Sequence, residues 1–407
     1  MNRVSDPRNP EQTVYTQAHL LWLGILLFMM HLGSRRQMRF ERIADVFKRN
    51  LALLSGQRDL DFIADPDTLA YYAERVSPEA IEKLLASITV WLIRMKVLDP
   101  FRLYGYFPIA IDGSQICTFD HEPWPDCPHR KLSDGSIQYF TYVLDAKLVT
   151  PCGMALTLAT EMLTNEGYEF FEKQDCELKA FPRLVDKLRV LFPRTPLCLL
   201  LDGLYANQNI IRMIETNLWK YIITFKEGSM PERFTEALSL ASLQKDNRMQ
   251  IKEDHCTQSF QWAEQLPVAE LTPNVLFCRE QLHEDEATNF VWLTNFQLYK
   301  NNIQNIAKKG GRLRWKIENE GFNVQKNDGY EMEHPYSEHK NGFRIFYILL
   351  LIAHYITQLI LHGSLIRALV KSFGSAKNFA RRLSESFRNH WLPDDLALPG
   401  QIRFQPP

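Results

Sequence analysis

Two short apolar runs lead straight into Asp-Gly. Phe107-Pro108-Ile109-Ala110-Ile111 leads into Asp112-Gly113, and Leu197-Cys198-Leu199-Leu200-Leu201 leads into Asp202-Gly203. Five apolar residues without alternation fit a strand buried on both faces, as in the interior of an α/β sheet. Each run reads as a strand whose end carries an acid. Strand ends of open α/β sheets are where ligand and metal sites gather. A glycine after each acid leaves the neighbouring backbone open to a bulky substrate. Carboxylates brought together repel one another, so a shared position calls for a hard cation between them.

The rest of the chain is arranged around these runs. Residues 1 to about 104 read helical, with Ile81, Leu84, Leu85, Ile88 and Trp91 at near-helical spacing. Ile137 to Val149 and Met154 to Thr160 are strand-like, with the turn Pro151-Cys152-Gly153 between them. With the first apolar run they predict a three-strand antiparallel meander. Glu177 to Phe192 reads as a helix that Pro182 should kink or delay. A helix carrying Ile210, Ile211 and Ile214 follows the second run, and then the strand Tyr221 to Phe225. Ser259 to Trp262, Val275 to Cys278 and Phe290 to Phe296 mark a β-rich insertion. The expected units are 1–104, 105–225, 226–296 as the insertion, 297–362, and a basic tail over 363–407.

Composition removes several classes of protein. The 407 residues are 45% hydrophobic and 23% charged, which excludes a disordered or fibrous chain. Lys and Arg number 47 against 48 Asp and Glu, so the chain is not a uniformly basic coat for nucleic acid. Local basic patches remain open. Seven cysteines at irregular spacing point to reduced thiols in a cytosol. Leu20 to Met30 is too short to span a bilayer, and Phe343 to Leu361 reads as a buried core helix. No membrane role is expected.

A third feature lies late in the chain. Arg314-Trp315-Lys316-Ile317-Glu318 through Phe322 to Lys326 reads as one helix. On a regular α-helix Arg314 and Glu318 are neighbours four apart, and Lys326 follows on the same face. Lys308, Lys309, Arg312, Arg314 and Lys316 place five basic residues in nine beside Glu318, with no acid among them. Such a stripe suits phosphates next to a carboxylate.

Taken together these residues resemble the DDE transposases of bacterial insertion sequences, in the branch with a β-strand insertion before the glutamate. The aspartates are 90 positions apart, and Glu318 follows Asp202 by 116. Asp112-Gly113, Lys173-Gln174-Asp175-Cys176-Glu177, Leu201 to Ala206 and the block from Arg314 to His334 carry the likeness. That branch has a tyrosine-arginine-glutamate-lysine signature. Here Gly311 stands at the tyrosine position and Gln325 at the lysine position, with Lys326 one further. The resemblance implies an α/β fold with a ribonuclease-H-like core, the β-rich insertion, and helical N- and C-terminal regions. It implies Asp112, Asp202 and Glu318 as catalytic metal ligands around two Mg²⁺ or Mn²⁺ ions. It implies phosphate contacts from Arg314, Lys316, Lys326, Lys308, Lys309 and Arg312. It implies a magnesium-dependent enzyme that binds double-stranded DNA, cuts transposon ends and joins them to target DNA. Such a protein would act as a homodimer on DNA in the bacterial cytoplasm, associated with the nucleoid. A stand-alone metal-dependent nuclease and an inactive DNA-binding relic are the alternatives.

Other signals are weaker. Cys117, His121, Cys127 and His129 are a mixture zinc accepts, at a spacing that fits no standard knuckle. Asp175 and Glu177 suit the first turn of a helix. Glu161 could add a further acid to the site. His334 and His339 read as surface or capping residues, or as neighbours of the phosphates. Arg35, Arg36, Arg39, Arg42, Lys48 and Arg49 form a basic N-terminal window, and Arg367, Lys371, Lys377, Arg381, Arg382 and Arg388 a second in the tail. Neither a phosphate-binding G-x-x-x-x-G-K-[ST] loop nor a G-x-S-x-G or H-E-x-x-H motif occurs.

Overall fold

The computed structural model describes residues 4–41, 44–58, 60–166, 174–253, 256–282, 287–364, 366–394 and 403–404. Lys173 and Arg42 lie outside these residues, as do the side chains of Arg367 and Lys371. The fold is mixed α/β, built on a ten-stranded and mostly antiparallel sheet.

The N-terminal region is helical: α1 Gln17–Met29, α2 Met38–Glu41, α3 Asp45–Ser55, α4 Pro66–Ala73 and α5 Pro78–Arg94. Helix α5 starts where its sequence says it should. Ser77 accepts the Ala80 N–H as N-cap, and Pro78 takes the first helical position. Helix α1 is buried along almost its whole length.

The first apolar run forms β1 (Phe107–Phe119), which is longer than expected. The Asp-Gly pair does not turn the chain; the strand runs on for six residues past Gly113. β2 (His129–Lys131) and β3 (Ile137–Val149) follow, and then β4 (Ala155–Met162). β1 pairs with β3 and β3 with β4, all antiparallel, so the predicted meander is present. Helix α6 spans Glu177–Leu191 with Pro182 inside it, neither broken nor delayed. The second run is β5 (Leu197–Leu201), followed by α7 (Gln208–Thr216) and β6 (Lys220–Thr224). β5 is parallel to β1, and β6 is parallel to β5. This part of the sheet therefore reads β4-β3-β1-β5-β6.

Residues 226–296 contain a helix the sequence reading did not anticipate, α8 (Pro231–Leu243). The strands β7 (Arg248–Glu253), β8 (Cys256–Ala263), β9 (Asn274–Leu282) and β10 (Thr288–Thr294) complete this segment. β10 pairs antiparallel with β6, so these strands extend the central sheet in the order β6-β10-β9-β8-β7.

The late stretch is not one regular helix. It passes from α9 (Ile303–Lys308) through a 3₁₀ turn at Gly311–Trp315 and a π turn at Ile317–Phe322 into α10 (Asn323–Asn327). Then come α11 (Lys340–His362), α12 (Arg367–Phe373) and α13 (Ala376–Asn389). Helix α11 is long and apolar enough to cross a membrane, yet it is mostly buried inside the fold, against α1, α4, α5 and β4. Gly24 brings α1 close to it: a Cβ there would lie 2.6 Å from Leu349 Cδ1.

Candidate active site

The register of β1 and β5 decides where the aspartates stand. Their last paired residues are Ala110 and Leu200, and Asp112 and Asp202 each lie two residues further along. The two acids are thus level, Asp112 within β1 and Asp202 just past the end of the neighbouring parallel strand β5. β1 is buried from Phe107 to Ile111 and half-buried at Asp112 and Gly113, before Ser114 is buried again, so the first acid sits at a partly open point along the strand.

The carboxylates are already engaged. Asp112 Oδ1 accepts the Gly113 N–H at 3.0 Å, and Oδ2 accepts Arg314 Nη1 at 3.0 Å. Burial pushes the Asp112 carboxyl up to about 6; Arg314 and the Gly113 N–H oppose the rise, while the charges of Glu177 and Asp202 add to it. Asp202 caps the short 3₁₀ turn Gly203–Tyr205, accepting the Leu204 N–H at 2.8 Å.

Glu318 occupies an exposed position on the π turn, whose Ile317, Gly321 and Phe322 are buried. That turn packs on β1, β3 and β4. π turns inside helices recur at functional sites. The changed winding overturns the expected pairing of Arg314 with Glu318. Four residues that pass from 3₁₀ into π geometry no longer stack one above the other, and Arg314 turns to Asp112 instead. Glu318 still lies in the same electrostatic neighbourhood. The Tyr142 phenol is raised by burial, by its bond to Glu177, and by the charges of Glu177, Asp112 and Glu318.

Glu177 looks in sequence like an ordinary helix-start acid. It begins α6, but its side chain reaches into this site. Oε1 accepts the Tyr142 hydroxyl at 2.5 Å, and Oε2 accepts the Tyr205 hydroxyl at 2.9 Å. Gly113 has the same explanation. A Cβ there would stand 2.5 Å from Tyr142 Cε1 and 2.6 Å from Glu177 Oε1. The glycine makes room for the protein's own side chains, not for a substrate. Gly113→Ala is expected to lower stability by about 1–3 kcal/mol, the usual cost of overpacking, in a urea denaturation series.

The two signature departures also have structural reasons. At Gly311 an added Cβ would collide with the Trp292 indole of β10, so no tyrosine fits. Gln325 is fully buried and faces inward. Its Nε2 meets His354 Nδ1 at 3.0 Å and its Oε1 lies 3.5 Å from Lys147 Nζ. Lys147 is itself wholly buried, paired with Asp145 at 2.7 Å and bonded to Thr157 at 3.0 Å. It lies 4.8 Å from the Phe322 ring centroid, directly beneath the π turn. A Cβ at Gly321 would be 3.1 Å from its stem. A buried charge needs such partners, and here they anchor the segment that carries Glu318.

The basic stripe does not form a bare cationic face. Lys316 pairs with Glu320 at 2.8 Å, Lys326 with Glu333 at 3.5 Å, Lys308 with Glu253 at 2.7 Å, and Arg312 with Glu280 at 3.9 Å. Lys309 is exposed at the end of α9. Such partly exposed pairs are worth about 0–1 kcal/mol each, so phosphates could compete for these side chains.

The remaining candidates fall outside the site. Asp175 is buried and bonded by Arg183, which also binds Glu161. These acids tie α6 to β4. Cys117 and Cys127 donate to backbone carbonyls of Glu333 and Phe140, and His121 meets Asp120 and Glu338. Nothing here favours zinc: among the described residues no three acidic, histidine or cysteine side chains gather to hold one ion. His339 caps α11, and His334 packs on Tyr336. In the N-terminal window Arg39 pairs with Asp65 and Asp67, and Arg49 with Asp394.

Asp112, Asp202 and Glu318 are likewise not gathered into one ligand cluster. Their chemistry nevertheless fits a hard divalent cation. The donors are all carboxylate oxygens, and the charge that Asp112 meets here is the guanidinium of Arg314. No protein-family model matches the chain, and no curated protein matches it.

Proposed function

We propose that this chain is a DDE-type DNA transposase that cuts the ends of an insertion sequence and joins them to target DNA. The observation that carries the reading is the level placement of Asp112 on β1 and Asp202 at the end of the adjacent parallel strand β5, beside a helical segment that bears Glu318 and packs on β1. The order β4-β3-β1-β5-β6, an antiparallel meander followed by two parallel strands, supports a ribonuclease-H-like core. Strands β7 to β10, lying between β6 and the Glu318 segment, agree with the branch that has a β insertion.

In this reading Asp112, Asp202 and Glu318 hold Mg²⁺ or Mn²⁺. Two such ions supply charge stabilisation for in-line displacement at a DNA phosphate. Arg314 and the basic residues from Lys308 to Lys326 receive the DNA backbone, which sets position without reading sequence. The protein acts as a homodimer on DNA in the bacterial cytoplasm.

The test is incubation of the purified chain with the DNA ends flanking its own gene and Mg²⁺ or Mn²⁺. Cleaved ends and joined products are the expected outcome. Cleavage without joining, on any duplex, would replace the reading with a metal-dependent nuclease. Binding without cleavage at any metal concentration would leave a DNA-binding relic.

A further inference from the structure

We propose that Glu177 is a positioning residue of this site: its carboxylate ties the strand carrying Asp112 to the turn carrying Asp202, and cation uptake depends on that tie. The proposal rests on the reading above for what the site does, and on its own geometry for what Glu177 does.

Both carboxylate oxygens of Glu177 are committed, each to a different element. Oε1 takes the Tyr142 hydroxyl from β3, where Tyr142 pairs with Gln115 of β1. Oε2 takes the hydroxyl of Tyr205, which closes the 3₁₀ turn capped by Asp202. The same Oε1 fills the space above Gly113, the residue next to Asp112. One side chain therefore touches β1, β3 and the turn after β5.

A glutamate in a first helical turn gains modestly from the helix dipole and can do so facing water. That gain calls for no buried phenols, yet Tyr205 is almost wholly buried and gives its one hydroxyl proton to Glu177. A carboxylate accepts at both oxygens, whereas an amide accepts at one and donates at the other. Glutamate is thus the side chain that can take both phenols as donors. The tie also works against repulsion. Glu177 and Asp202 both act on Asp112, with Arg314 as the opposing charge. Like charges around one site disfavour one another, and two phenol hydrogen bonds on separate elements hold the Glu177 carboxylate against that repulsion.

The test is Mn²⁺ uptake by the full-length chain without DNA, followed by electron paramagnetic resonance of free Mn²⁺. It compares the wild type, Glu177→Gln, and a double variant with Tyr142→Phe and Tyr205→Phe. Thermal unfolding of each confirms the fold. Both variants should bind Mn²⁺ about 10–100-fold more weakly, the usual effect of losing a partner that orients a metal ligand. The double variant removes no acid, so its loss cannot come from a missing ligand or charge. Wild-type affinity in a folded double variant would overturn the proposal, as would a wild-type chain that takes up no Mn²⁺. If the double variant does not fold, Tyr142→Phe alone carries the test, at the more exposed phenol. Weaker uptake would support the tie and unchanged uptake would overturn it. A wild type that binds Mn²⁺ but neither cuts nor joins DNA would remove the transposase reading and leave the tie standing.

Discussion

Asp202→Ala is expected to lower end cleavage and joining by about 10²–10³-fold or more, the scale set by losing one charge-stabilising group. Binding to transposon-end DNA should stay within a few-fold of wild type, because the proposed function draws that affinity from basic side chains. The folded state should barely notice the change. Asp202 is half-buried, and its visible structural task is one cap on the Leu204 N–H. Losing a cap costs about 0.5–2 kcal/mol. Asp202→Asn sharpens the test, since asparagine caps as well as aspartate and only the charge is lost. Inactivity of the asparagine variant, with wild-type melting and wild-type end binding, assigns the effect to the charge. Full activity in Asp202→Asn would show that Asp202 is a helix cap and nothing more.

The same aspartates show how far the sequence could be read. Unbroken apolar runs before Asp112 and Asp202 were enough to place two buried strands, because no polar residue interrupts either run. That the strands are neighbours is not local information. It depends on β1 and β5 pairing across 90 positions. The Asp-Gly after the first run suggested a strand end, but β1 continues, since β3 goes on pairing with it to Phe119. In sequence Gly113 suggests backbone freedom, while what it provides is space for Tyr142 and Glu177. Glu177 looked like an ordinary first-turn acid because its partners, Tyr142 and Tyr205, are 35 and 28 positions away. The late helix misled for a different reason. Helical arithmetic assumes constant winding, and the buried Lys147 beneath Gly321 and Phe322, with Trp292 beside Gly311, goes with a path that changes from 3₁₀ to π.

Arg314→Ala should change two measurements in opposite directions. In the DNA-free chain this guanidinium holds Asp112 Oδ2 at 3.0 Å, with its side chain only 13% exposed. A divalent cation and a guanidinium drawn to the same carboxylate repel each other, so Arg314 opposes any metal at Asp112. Removing it should tighten Mn²⁺ uptake, on the order of tenfold, the scale on which a neighbouring opposite charge shifts a carboxylate's proton affinity. End binding should weaken at the same time. If Arg314 leaves Asp112 to grip a phosphate, which arginine does bidentately, its loss should lower the log–log salt slope of binding by about 0.9. Lys326→Ala should do less, because Lys326 is paired with Glu333 and Arg314 is the residue bonded to Asp112. The measurements are Mn²⁺ titration of the free protein and affinity for transposon-end DNA across a salt series. Tighter Mn²⁺ with an unchanged slope would make Arg314 a counter-ion that never reaches DNA. Weaker Mn²⁺ in a folded variant would mean that Arg314 holds Asp112 in place for the cation, and its opposition to the metal would have to be abandoned.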